Sequence, residues 1–343
     1  MRLLVCSILA SLLLQAQTAN QCLTGSEQFR KQDYTAAQTS LWQCVESGAG
    51  TATDTLDLTL TYRTLKDYDA GLSRAALDLK RSPDNVDLLY LAAFLQYRLN
   101  DPKDSMVLLS KAYKIQPNDW RLHQLFALNY IAFRMPDAVE SELKTAIRLN
   151  PGNAELHYQL GRLYFSEEHV EQSIEEVTRA VELTPEYPQA YDSLGLSYES
   201  QANFAKAAES YRKALELNRK LGIKDEWPLI DYGAMLLRQD SVQAALPYLL
   251  EALEINPLSA NANYQAGRAM RLLKRFEEAQ TYFEKTITLD PGYSYAYYQL
   301  ANLVRERGDN QRASVLMSKY KELIDRETGS GTYNPSTSAH SAR

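Results

Sequence analysis

Three pentads, YQLGR at Tyr158–Arg162, YQAGR at Tyr264–Arg268 and YQLAN at Tyr298–Asn302, each bring a phenol and an amide beside a guanidinium or a second amide. Such a set can hold an anion, because arginine offers a carboxylate a planar fork of N–H donors. A glycine beside the arginine could also line a phosphate loop. That chemistry needs the glycines between a strand and a helix, and no strand pattern accompanies these. The glycines are therefore expected to pack, leaving the arginines to face outward.

No other constellation points to catalysis, metal or cofactor binding. The four histidines, His123, His157, His169 and His340, are scattered. The chain lacks the zinc-protease helix motif, the serine-hydrolase elbow, the Walker loop and the dinucleotide fingerprint. With 37 Lys+Arg against 43 Asp+Glu and a formal charge of -6, it also lacks the basic field that nucleic acid selects. No nucleic-acid partner is expected.

The segment 1–19 reads as a signal peptide. Arg2 precedes an apolar run from Leu3 to Leu14, and Ala16 and Ala19 offer small residues for cleavage between Ala16 and Asn20. The run is shorter than the ~20 residues a membrane-spanning helix needs, so no stable span is expected after cleavage. Export to a periplasm or the cell exterior follows, with an N-terminal membrane anchor as the alternative. Cys6 would leave with that segment, and Cys22 and Cys44 would remain. They stand at equal distances from a turn expected near Asp33, which would bring the sulfurs together as a disulfide in an oxidising compartment. Alternatively, Cys44 fills the slot that Ala112, Ala146, Ala180 and Ala214 fill further along.

The elements that position all these residues follow from a period. Pro83, Pro117, Pro151 and Pro185 are evenly spaced, at the same interval that separates Pro257 from Pro291, and the gap between the two sets is two such periods plus four residues. Within a period, apolar residues recur at helical spacing twice, for example Tyr191, Leu194, Gly195 and Tyr198, then Ala207, Tyr211 and Ala214. Two amphipathic helices per period result. Proline ends the second helix by removing a donor and disfavouring helix in the residue before it. Asn85, Asp119, Asn153 and Ser259 are placed to cap the next pair.

The chain resembles the tetratricopeptide repeat family, whose pattern W-x2-L-G-x2-Y…A-x3-F…P recurs about every 34 residues. His157, Leu160, Gly161, Tyr164, Val177, Ala180 and Pro185 carry it in one unit, and Gly267, Ala279, Phe283 and Pro291 in another. The resemblance implies an all-α fold, a right-handed α-solenoid of stacked antiparallel helix pairs. About nine units occupy 20–327. The first two are degenerate, a four-residue insertion lies near 218–225, and a polar tail at 328–343 is expected to be disordered.

By the same resemblance, the stripe beside the core face of each first helix lines a concave groove that binds a protein or peptide. The stripe reads Tyr90, Phe94 and Tyr97, then Tyr158, Arg162 and Phe165, then Tyr264, Arg268 and Arg271, and finally Tyr298, Asn302 and Arg305. It is aromatic early and basic late. Some members of the family hold a partner's C-terminal carboxylate with Lys, Asn and Arg, and Arg268, Arg271, Asn302 and Arg305 are similar in type. The arginines could instead pair with neighbouring acids on a solvated face. The reading is a non-catalytic adaptor for an acidic segment or a C-terminal carboxylate. The alternatives are a scaffold that self-associates through convex or terminal surfaces, and a non-catalytic regulatory partner of an enzyme.

Overall fold

A computed structural model describes residues 20–329, so the predicted signal segment and most of the predicted tail lie outside it. The described residues are helical throughout apart from turns and loops, from α1 (20–30) and α2 (Tyr34–Glu46) to α17 (Ser294–Glu306) and α18 (Asn310–Gly329). The last helix runs through Gly329, into the start of the segment assigned to the tail. The chain forms two compact units that divide between Leu156 and His157.

The turn inside each helix pair repeats as strictly as the prolines do. Gln32, Lys66, Asn100, Arg134, Glu168, Ala202, Asp240 and Lys274 all take positive φ, near 54–63°. The following N–H then reaches back five residues, as from Met135 to the Tyr130 carbonyl (3.0 Å) and from Arg275 to that of Met270 (2.9 Å). This left-handed closure satisfies the last carbonyls of the first helix while reversing the chain. All four expected caps accept from the first turn of the next helix: Asn85 from Leu88, Asp119 from Arg121, Asn153 from Glu155 and Ser259 from Ala262.

In the first unit, Trp42, Tyr62, Leu58, Leu91 and Leu95 fill one core cluster across α2, α3 (Ala52–Leu65) and α5 (Val86–Arg98). The buried Trp42 indole N–H donates to Asp78 at 2.9 Å. Cys22 and Cys44 form a disulfide with Cα atoms 4.9 Å apart. This cross-link stabilises the terminal pair by about 3 kcal/mol in the chain-entropy argument. A buried ion network joins successive pairs. Arg121 on α7 (Trp120–Ala132) donates to Asp119 and, at 2.7 Å, to Asp87 on α5, which accepts from Thr55 on α3.

In the second unit, α12 (Phe204–Leu221) is four residues longer than α10 (Val170–Leu183), and Gly222 closes it with φ 66°. The longer helix accounts for the break in the proline period. Core clusters centre on Tyr211, Ile230 and Tyr232, and on Tyr264, Phe283 and Leu300. Glycine is required where the paired helices touch. A Cβ on Gly195 would lie 2.4 Å from Tyr211, one on Gly233 2.6 Å from Leu249, and one on Gly267 2.7 Å from Phe283.

Candidate peptide-binding face

The face is built on α15 (Ala260–Leu272) and α17, backed by α16 (Phe276–Leu289). Small residues bring these helices close. Ala266, Gly267 and Ala269 are buried, and Phe283 of α16 fills the space beneath Gly267 and lies 6.0 Å from the Tyr264 ring. Tyr264 also packs against the tilted ring of Tyr293 at 4.9 Å. With 8% exposure, Tyr264 is a packing residue, and burial pushes its phenol above the ordinary value.

The rest of the pentad hangs on that ring. The Arg268 guanidinium lies over Tyr264, 5.9 Å from its centroid, and Nη1 donates to Gln265 Oε1 at 2.8 Å. In YQAGR, then, the tyrosine packs, the glutamine orients the arginine, and the glycine admits the partner helix. Arg271 is held by the next pair, donating to Gln299 Oε1 at 2.9 Å and to Glu306 Oε1 at 2.6 Å. Arg268, Arg271 and Lys274 border a cavity of about 460 Å³ with Phe276, Gln299 and Glu306, so three cations meet one carboxylate there. On α17 Tyr298 is 39% exposed beside Tyr320 (5.3 Å), Asn302 is half-buried and Arg305 exposed. A guanidinium has five N–H donors, so the bond from Arg268 to Gln265 leaves a fork able to take a carboxylate.

The earlier part of the stripe is largely buried or half-buried. Tyr90 is 4% exposed and lies beneath the Arg121 guanidinium (5.3 Å), because the next helix pair covers it. Phe94 and Tyr97 are half-buried against the first unit's core clusters. Tyr158 is 8% exposed and packs against the tilted ring of Tyr187 at 5.0 Å, with Arg162 over its ring at 5.7 Å, while Phe165 is half-buried. The aromatic early part of the stripe therefore lends little open ring surface.

Other polar residues bond across neighbouring helices. Glu199 accepts from the Tyr211 hydroxyl at 2.9 Å and pairs with Arg238. Gln299 and Glu306 were missed, although Gln299 is the second letter of YQLAN, the letter that orients an arginine in YQAGR. His123 bonds Glu142 at 2.6 Å, and this bond raises the imidazole above its ordinary value against the opposing effect of burial. His157 bonds Glu176 at 2.7 Å in the same register one period on. Among the described residues the one metal-like cluster is Cys22, Cys44 and Asp54, whose sulfurs are bonded to each other.

Residues 158–221 and 233–294 match the family described as tetratricopeptide repeat. Those two stretches are tetratricopeptide repeats. Among solved structures, the repeat fold is similar to the Cut9 and Hcn1 hetero-tetramer of the APC/C, with TM-score 0.68 and 14% identity. That match covers 82% of this chain and 54% of the other, so this repeat protein spans about half the length of its counterpart. It is also similar to pilF of Pseudomonas aeruginosa, with TM-score 0.56 and 19% identity over 64% of this chain and 97% of that one. No curated protein matches the chain by sequence. Tetratricopeptide repeats generally serve as non-catalytic scaffolds for protein partners, and no helix among the described residues is long and apolar enough to cross a membrane.

Proposed function

We propose that this protein is a non-catalytic adaptor that holds an acidic, extended segment of a protein partner against α15 and α17. The observation that carries this reading is the preorganisation of Arg268 and Arg271. Both guanidiniums are oriented by neutral amides, Gln265 and Gln299, beside a cavity that also carries Lys274. An amide orients a guanidinium without neutralising it, and Glu306 offsets only one of the three positive charges. Exposed Tyr298 and Arg305 extend the surface along α17 with rigid contact area and a second fork. An acidic side chain or a C-terminal carboxylate satisfies this chemistry.

A synthetic peptide rich in Asp and Glu, free or amidated at its C-terminus, tests the reading by calorimetry. Arg268→Glu with Arg305→Glu is expected to weaken binding by about tenfold or more, since hydrogen bonds to charged groups are worth about 1.5–3 kcal/mol each. Helical circular dichroism should stay unchanged. Unaltered affinity in the double variant rejects the basic face, and equal affinity of the amidated peptide rejects the terminal carboxylate.

Export forms part of the same proposal. It is supported by the signal-like start of the sequence and by a disulfide in a chain that has only one other cysteine, Cys6. Intact mass of the protein from the exported fraction tests both points. Cleavage between Ala16 and Asn20 and a mass two hydrogens below the fully reduced chain are expected. A full-length, reduced chain rejects them.

A further inference from the structure

In five pairs the second helix stops at one place in the period. Gln116, Asn150, Thr184, Asn256 and Asp290 occupy it, each with extended backbone (φ between −141° and −134°) and each followed by proline. Two of these side chains close the turn themselves, Asn256 Oδ1 accepting from the Leu258 N–H at 3.1 Å and Asp290 Oδ1 from that of Gly292 at 2.9 Å. Asn218 falls in the same place, four residues past the buried Ala214 as Thr184 is past Ala180. There α12 does not stop. Arg219 stands in place of the proline, and the helix runs on to Leu221 with Gly222 as its left-handed cap. The last described helix, α18, also runs past this place, but it carries apolar Ile324 there.

The extra turn of α12 is thinly held. Asn218 is 5% exposed, yet neither its amide nitrogen nor its oxygen has a partner among the described residues, whereas buried Asn129 and Asn263 each bond through Nδ2. Such an amide carries its full desolvation cost. Beyond it, residues 219–224 are all exposed, so the turn packs against no core. Two side-chain pairs latch it to its neighbours, Arg219 to Glu251 on α14 (Val242–Ile255) at 3.0 Å and Lys220 to Glu186, ahead of α11 (Pro188–Ser200), at 2.5 Å. Exposed pairs of this kind contribute little.

We propose that α12 has two ends of similar stability and switches between them as a joint, a long end at Gly222 and a short end at Asn218. In the short form the Asn218 side chain closes the turn as Asn256 and Asp290 close theirs, and 219–224 joins the connection to α13 (Trp227–Arg238). Unwinding exchanges one turn of backbone bonds for bonds to water, at small net cost. It also frees the entropy of six exposed residues and ends the burial of an unbonded amide. The longer connection lets the pair α13 and α14 reseat on α11 and α12. Because both latches are ionic, salt favours the short form. The joint is independent of the peptide-binding face.

Hydrogen exchange of the full chain, followed by mass spectrometry, reads the switch directly. Amides of 220–223 should exchange faster than those in the last turns of α10 and α16, and faster still in about 1 M NaCl, where the Debye length falls to ~3 Å. Asn218→Ala removes both the unbonded amide and the cap of the short form, and should slow that exchange by about tenfold. Arg219→Pro restores the proline of the neighbouring pairs and should lower Tm far less than Lys213→Pro, in the middle of the same helix. Exchange at 220–223 no faster than at the ends of α10 and α16, or unchanged by Asn218→Ala, overturns the proposal. So does an equal loss of Tm in the two proline variants, which would make the long helix the one form the fold accepts.

Discussion

Arg121→Ala should destabilise the first unit by about 3–5 kcal/mol, the usual cost of leaving one partner of a buried ion pair behind. Arg121 is 4% exposed and Asp119 is 4% exposed, so the abandoned carboxylate could not recover hydration by a small movement. Burial pulls the guanidinium downward, but hydrogen bonds to Asp119 and the charges of Asp119 and Asp87 outweigh it and hold the group above its ordinary value. Arg121→Lys should fall between wild type and alanine, since an ammonium keeps the charge but loses the fork to Asp119 and Asp87. Repeat stability is a sum of local and nearest-neighbour terms. Hydrogen exchange should therefore accelerate in α5 and α7 before it does near the disulfide. A loss under about 1 kcal/mol in denaturant titration would mean that water replaces the guanidinium, and the network would then be incidental to stability.

Phe283→Ala should cost about 3–5 kcal/mol in the second unit, the range for truncating a buried aromatic. Its ring has no exposure, sits against Gly267 and faces Tyr264, so the cavity would open beneath the ring that supports Arg268. Peptide affinity should fall along with stability in this variant, whereas the arginine reversals should lower affinity alone. Gly267→Ala approaches the same contact from the other side. Its new Cβ would lie 2.7 Å from Phe283, an overpacking worth about 1–3 kcal/mol. Phe283→Leu should relieve part of that cost, so the double-mutant cycle should show favourable coupling. Additive losses would show that the helices separate freely at Gly267.

Much of this architecture is readable from residue order, because helix pairs are made by local chemistry. The proline period, the apolar spacing and the capping residues each act within a few residues of themselves. Hence Asn85, Asp119, Asn153 and Ser259 cap where they were expected to, and the four extra residues lengthen α12. The packing role of Gly195, Gly233 and Gly267 was equally legible, since a helical glycine at the same place in four successive pairs has few other uses.

Exposure of the stripe was not legible. Position on a helix says which way a side chain points, but the following pair, a full period further along the chain, determines what lies over it. Arg121 covers Tyr90 in this way, and Tyr187 and Tyr293 cover Tyr158 and Tyr264. The partners of the arginines escaped for the same reason: Gln299 and Glu306 reach Arg271 from the next pair. Residue order therefore sufficed for helices, turns and their period, where each cause is local. Which tyrosines are surface, and which residues of the next pair bond Arg271, emerged only once successive pairs were stacked, because burial and hydrogen bonding belong to side chains that meet in space.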